Sequence, residues 1–302
     1  MHPRTHRCWL ILAKVSLLGV PITSTGQSVR VDTLGPGTIS VAGASNYRGA
    51  FTPDGNAYYF FRKVGPGESY RIFVSHRAAG QWSPPVQVAL GGDYSDLYPT
   101  ISGDGRQMVI SSYRPLPGAA ADARPQAHLW LAQREGETWR VVRPLEEINR
   151  VGFYHAGPIL TTGGTLTWFE LTPDYRQRVA KVAQFDGRRF SGSRDDTAHV
   201  AWGARMPTGF KLLDVIPSPN GQMVILGASA IGNNGRDLPG DLWLSIRRGA
   251  AWDPPVLLPP SVNSRGWENF ATFSPDGSTL LFTRDFSRTL SVRVADLLSQ
   301  QR

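Results

Sequence analysis

The sequence predicts an all-β protein, a β-propeller of four-stranded blades, and three observations carry that prediction. The first is a turn phrase written five times: FTPDGNAYYFFR from Phe51, ISGDGRQMVISS from Ile101, a worn LTTGGTLTWFE from Leu160, IPSPNGQMVILG from Ile216 and FSPDGSTLLFTR from Phe273. The closing glycines, Gly55, Gly105, Gly164, Gly221 and Gly277, are 50, 59, 57 and 56 residues apart. The second is that every copy leads into the same succession of strand-like segments. The third is composition: 32 Gly and 23 Pro spread along 302 residues mark many turns and few helices.

Taken in chain order, residues 1–26 read as an export signal. Arg4 and Arg7 precede an apolar run from Cys8 to Val20, and small residues follow, with Ser24 and Gly26 where a signal peptidase would read. Cys8 is the only cysteine and is lost with that segment, so a mature chain has no disulfide, thiol nucleophile or thiolate metal site. Losing Arg4, Arg7 and Lys14 reduces the formal charge of +8 to about +5. The remaining Arg residues are scattered singly, without the basic, aromatic-laced stretches that bind nucleic acid. No stable membrane insertion is expected after cleavage, because the apolar run is too short to span a bilayer.

Residues 27–302 form the propeller domain. In each repeat an apolar residue ends one strand and a Ser/Thr-Pro-Asp-Gly-type turn reverses the chain. Pro presets φ, Asp bonds nearby backbone, and Gly takes the positive-φ position. Asp54, Asp104 and Asp276 are therefore turn residues rather than chemistry. A second strand follows (AYYFF, QMVIS, TLTWF, QMVIL, TLLFT), then a third (YRIFVS, HLWLAQ, RVAKVA, DLWLSI, TLSVRV). A Gly turn and an aromatic residue then lead to a fourth, and Trp82, Trp139, Phe190 and Trp252 are expected to pack between adjacent sheets. Repeats of this length with four strands each are propeller blades. The last repeat has no fourth strand of its own. SVRVDTLG, from Ser28 to Gly35, resembles the other fourth strands and would close the ring. The count is five blades; six would need a blade hidden between Ser191 and Leu213.

This repeat resembles the TolB-type propeller repeat, the Pro-Asp-Gly-bearing relative of WD repeats, over essentially residues 28–298. The third copy departs from it, having Thr161-Thr162-Gly163-Gly164 where Pro-Asp is expected. No segment is left for the α/β domain that TolB itself carries, so the likeness is to a stand-alone propeller. It implies a fold and an envelope setting, periplasmic or secreted, and says little about activity. The Asp box of sialidases separates its Asp and Gly by one residue, whereas here they are adjacent.

The Pro-Asp-Gly turns occupy one face of such a propeller. The opposite face carries long loops at Arg114–Ala127 and Ala228–Gly240, where binding is expected. Nine residues before each repeat glycine stand Asn46, Asp96, His155, Leu212 and Glu268; seven before stand Arg48, Tyr98, Gly157, Asp214 and Phe270. These innermost-strand residues, with Lys211, Trp267 and Asn269 beside them, are expected to ring the channel mouth. Ligand contacts are expected from Asn46, Arg48, Asp96, Tyr98, His155, Lys211, Trp267 and Glu268. The expected role is a module binding an envelope protein, peptide or glycan, with no cofactor. The alternative is a hydrolase of glycans or esters using Asp96, Asp214 and Glu268 as acid, base or nucleophile. A metal held by Asp96, His155 and Glu268 ranks level with that hydrolase, and a purely structural envelope module is a third class.

Overall fold

The computed structural model describes residues 29–65, 69–119, 125–232 and 237–301; the expected signal segment lies outside them. The first strand, β1 (Val31–Thr33), belongs to the last blade. Blade one contains β2 (Asn46–Phe51), β3 (Ala57–Lys63), β4 (Tyr70–Ala78) and the short β5 (Gln81–Trp82) and β6 (Val86–Gln87). Blade two contains β7 (Asp96–Ile101), β8 (Gln107–Ser112), β9 (His128–Glu135) and β10 (Thr138–Pro144). Blade three contains β11 (Tyr154–Leu160), β12 (Thr165–Leu171), β13 (Arg178–Gln184) and β14 (Arg194–Asp195). A helix, α1 (Thr197–Arg205), then leads into blade four, with β15 (Phe210–Pro217), β16 (Met223–Ile231), β17 (Asp237–Arg248), β18 (Ala251–Trp252) and β19 (Val256–Leu257). Blade five contains β20 (Glu268–Phe273), β21 (Thr279–Arg284) and β22 (Arg288–Arg293), after which α2 (Val294–Ser299) ends the described chain.

Five antiparallel sheets result, and they form a five-bladed propeller. β1 pairs with β22 (Val31 opposite Val292, Thr33 opposite Leu290), so the N-terminal strand closes the ring as its sequence predicts. The six-bladed alternative fails because Ser191–Leu213 supplies α1, a two-residue strand and the start of β15 rather than a sheet. Part of the expected loop Ala228–Gly240 is also strand. β16 and β17 continue pairing out to Ile231 opposite Asp237.

The Pro-Asp-Gly turns have the predicted chemistry. In the first, Thr52 Oγ1 donates to Asp54 Oδ1 (2.5 Å), the Asn56 N–H donates to the same oxygen (3.0 Å), and Gly55 sits at φ 72°. Ser102–Asp104, Ser218–Asn220 and Ser274–Asp276 repeat the bond. β3 runs Ala57-Tyr58-Tyr59-Phe60-Phe61 with every side chain buried, because a blade's middle strand is covered on both faces by its neighbours.

Apolar clusters mark the seams between blades. Tyr59 and Phe61 meet Ile110 and Trp139 between blades one and two. Val109 and Leu131 meet Leu166, Trp168 and Phe190 between two and three. Ile225 and Leu244 meet Leu280 and Phe282 between four and five, and Leu281 meets Tyr58 and Phe60 between five and one. Trp139, Phe190 and Trp82 thus lie between sheets as expected, whereas Trp252 packs edge-on against Trp202 of α1. The cluster of blade four gathers Trp202 and Met206, at the end of α1, but no residue of blade three.

Candidate functional site

The innermost strand of every blade enters from the face opposite the Pro-Asp-Gly turns, and in every blade it is bulged close to its start. The register with the second strand breaks between Asn46 and Gly49, Leu97 and Thr100, Ala156 and Ile159, Leu212 and Asp214, and Asn269 and Thr272. The residue seven before the repeat glycine lies within or at the edge of each break. A bulge bends the strand and re-aims side chains, so the two sets of predicted mouth residues have different fates.

The residues nine before the glycine are packed into the blade rather than turned to the channel. Glu268 is 1% exposed; its carboxylate accepts from Arg284 Nε (2.6 Å), Ser264 Oγ (2.7 Å) and the Ser264 N–H (3.0 Å), while Arg284 Nη2 donates to the Ser261 and Val262 carbonyls. Asp96 is held by Arg114 at 2.5 and 3.2 Å, and Arg114 donates onward to the Leu90 and Gly91 carbonyls. Burial pushes the Asp96 carboxyl up against the pull of that arginine. Asn46 Oδ1 accepts from Arg62 Nε, and Asn46 and Arg62 both donate to the Ile39 carbonyl. His155 Nε2 accepts from the Arg150 N–H at 3.2 Å, and its neighbour Glu170 binds the Arg150 side chain. Burial, with His128 alongside, lowers His155 to about 3, so its ring is neutral. Each group thus fastens the connection entering its own blade; blade four, with Leu212 at this position, has no such latch. Asp96, His155 and Glu268 do not stand together, and among the described residues no group of three or more His, Cys, Asp or Glu is placed to hold a metal.

The residues seven before the glycine do converge. Arg48, Tyr98, Gly157, Asp214 and Phe270 all line one cavity of about 230 Å³ at the mouth, joined by Phe169, Arg178 and Asn269. Arg48 Nη2 meets Asp214 Oδ2 at 2.6 Å, with the two side chains 5% and 13% exposed. Arg48 also lines a second cavity of about 390 Å³ running toward the Pro-Asp-Gly face, so this ion pair stands across the channel. Burial raises the Asp214 carboxyl, but Arg48 and Arg178 together pull harder and hold it below the usual carboxylate range. Arg178 lies 3.5 Å from the Phe169 ring centre and donates to the Leu213 carbonyl. Two guanidinium groups therefore face one carboxylate.

Aromatic rings continue the wall: Tyr98 to Phe270 (6.0 Å), Phe270 to Phe286 (6.0 Å), and Phe286 to Trp267 (6.1 Å), with Tyr47 stacked on Phe61 (4.8 Å) beneath. Tyr98, Phe270, Asp285 and Phe286 hold φ of 52°, 52°, 51° and 52°, four of the six non-glycine residues with positive φ among those described. Such a conformation costs about 1–3 kcal/mol per residue and collects where side chains must be held in fixed directions. Lys211, also expected at the mouth, is not part of the mouth cavity's lining and is paired with Asp237 at 3.1 Å. Sequence counting missed Arg178, Phe169 and Phe286, which come from the outer hairpins; a TPDY turn at Thr172–Tyr175, just before Arg178, was the available signal.

No family model matches the chain, and no curated protein matches it. Solved structures do. A putative TolB from Agrobacterium tumefaciens is 16% identical over 82% of this chain and 73% of its own, with a TM-score of 0.44. The catalytic domain of a Coprinopsis cinerea GH62 α-L-arabinofuranosidase is 12% identical over 89% of this chain and 98% of its own, TM-score 0.46. A Mycobacterium tuberculosis puromycin-hydrolyzing peptidase is 15% identical over 80% of this chain, TM-score 0.40; this chain spans 35% of its length. Hydrolases thus stand beside a TolB, and the likeness extends to the fold alone.

Proposed function

We propose that the protein is an exported, TolB-like binding module whose channel mouth captures an acidic peptide segment of an envelope partner. The observation that supports this best is the charge arrangement at the mouth. Arg48 is already engaged by Asp214, while Arg178 rests on Phe169 and, among the described residues, has only the Leu213 carbonyl as its hydrogen-bonded partner. A carboxylate entering between Arg178 and the half-buried rings of Tyr98, Phe270 and Phe286 would meet a charge-assisted donor in a partly desolvated place, flanked by apolar faces for neighbouring side chains. The mouth is a preformed concavity, so little ordering is needed on binding.

Hydrolysis by paired carboxylates has less support. It needs two carboxyl groups facing one substrate, and among the described residues the mouth cavity is lined by one, Asp214. Asp96 and Glu268 are each committed to an arginine, Arg114 and Arg284.

Calorimetric titration tests the proposal with acidic and neutral peptides and an oligouronate, which separates peptide from glycan. Arg178→Met should weaken the acidic peptide by about 10- to 100-fold, as expected for losing a charge-assisted hydrogen bond, and should leave folding intact. Equal binding of acidic and neutral peptides, or tighter binding of the oligouronate, would reject the peptide reading.

A further inference from the structure

The seam between blades three and four is built unlike the other four, and a second site lies in it. β12 alternates strictly: Leu166, Trp168 and Glu170 are buried toward blade two, while Thr165, Thr167 and Phe169 on its other face stay half-buried. Among the described residues no apolar cluster joins that face to blade four; only Ile159, at the channel wall, touches a cluster containing fourth-blade residues. The space between is a cavity of about 460 Å³, within the size range of small-molecule sites.

α1 lies along this cavity, and its packing is incomplete. None of its nine residues is buried, although short helices depend on burying a face for their stability. It is held by the Asp196 cap, by an edge-on contact of His199 with Phe169 of blade three (5.3 Å), by the Trp202–Trp252 ring contact and by Arg205, which donates to the Trp252 and Asp253 carbonyls. His199 and Trp202 line the cavity from the helix side. Burial, with Arg178 nearby, keeps His199 below the ordinary histidine value, and among the described residues neither ring nitrogen has a hydrogen-bond partner. The acidic side chains around the cavity are already engaged: Asp195 by Lys181, Asp196 by the α1 amides and Asp214 by Arg48.

We infer that this seam is a binding site for a small, uncharged, ring-bearing molecule, seated between Phe169 and the Trp202–Trp252 pair and hydrogen-bonded through an N–H or O–H to His199. The walls supply aromatic rings and His199 supplies one unpartnered acceptor or donor; Arg194, which also lines the cavity, is exposed to solvent, so a neutral guest leaves no buried ion uncompensated. Filling the cavity would also bury the inner face of α1. The site is distinct from the charged mouth, although Gly157, Phe169 and Asp214 border both.

Fluorine NMR with 5-fluoroindole as the probe, supported by calorimetry, tests this on the full chain. Saturable binding at one site is expected. His199→Ala should weaken it about tenfold, the scale of one hydrogen bond, and Thr167→Trp, which fills the cavity from the sheet side, should abolish it. Ala198→Trp, on an exposed helix position at the cavity edge, replaces Thr167→Trp if that variant does not fold. Absence of saturation at millimolar probe, or binding that survives both tryptophan variants, would overturn the inference. So would binding that disappears in Phe286→Ala, since Phe286 belongs to the mouth.

Discussion

Glu268→Ala separates a latch from a ligand contact. In the native chain the Glu268 carboxylate is fully buried and takes three donors: Arg284 Nε and both the Oγ and N–H of Ser264. Removing it leaves a guanidinium facing a cavity and two Ser264 donors without their acceptor. Breaking one side of a buried ion pair costs about 3–5 kcal/mol. Arg284 keeps 18% of its side chain exposed and retains the Ser261 and Val262 carbonyls, so we place the loss near the lower end, at about 3 kcal/mol. For a domain near this size each kcal/mol moves the melting temperature by roughly 2–4 °C, giving a drop of about 6–12 °C. Calorimetric melting of residues 27–302 measures it directly. Glu268→Leu combined with Arg284→Leu should recover most of the drop, because a well-packed apolar pair avoids the stranded charge. A fall below 2 °C in Glu268→Ala, accompanied by loss of peptide affinity, would show that the carboxylate faces the channel and would refute the latch.

Three further outcomes follow from the same geometry. His155 is lowered to about 3 in the folded chain, against about 6.5 when unfolded. Above pH 6.5 it is neutral in both states and costs nothing. Below that value the unfolded chain binds a proton that the folded chain refuses. Stability should therefore fall by up to about 1.4 kcal/mol per pH unit from this residue as pH drops from about 6.5 toward 3; urea midpoints at pH 7 and 5 should differ less in His155→Gln. Trp139→Phe removes the Nε1 bond to Tyr59 Oη (3.1 Å) across the first seam and should cost about 1–3 kcal/mol by denaturant titration, whereas Trp139→Phe with Tyr59→Phe should cost less than the sum of the two single changes. Raising salt from 50 to 500 mM should weaken the acidic peptide at the mouth but leave 5-fluoroindole binding unchanged, because only the former relies on charge.

The fold was legible because each blade repeats a local device that needs no partner to be recognised. A turn with Ser or Thr, Pro, Asp and Gly builds its own hydrogen bonds within five residues, as Thr52, Asp54 and Asn56 do. Ring closure was legible for a related reason: Val31 to Thr33 repeats the pattern of the other outer strands and was left without a blade of its own. Where the repeat loses that device, sequence reading loses precision. Nothing in Ser191–Leu213 marks the period, and only the Asp196 cap ahead of Thr197-Ala198-His199 hints at the helix found there.

The mouth was half legible, and the reason is a single backbone feature repeated five times. Counting back from the glycines treats the innermost strand as regular, which puts residues nine and seven before the glycine on one face. The bulge beside the seven-back position breaks that equivalence. Arg48, Tyr98, Asp214 and Phe270 reach the cavity, whereas Asn46, Asp96, His155 and Glu268 are left inside the blade. A sequence signal for the second group did exist. The stretches FTPDGNAYYFFR and FSPDGSTLLFTR both end in arginine, and those residues, Arg62 and Arg284, bind Asn46 and Glu268 across the strand pair. An acid or amide sixteen residues ahead of an arginine, with the turn between them, is a cross-strand pair before it is a catalytic pair. The latches also account for how a ring of separate sheets can leave one seam loose. Where an Asn, Asp, His or Glu fastens the incoming chain, the following blade is fixed; where Leu212 stands instead, α1 spans the gap and the cavity beneath it remains open.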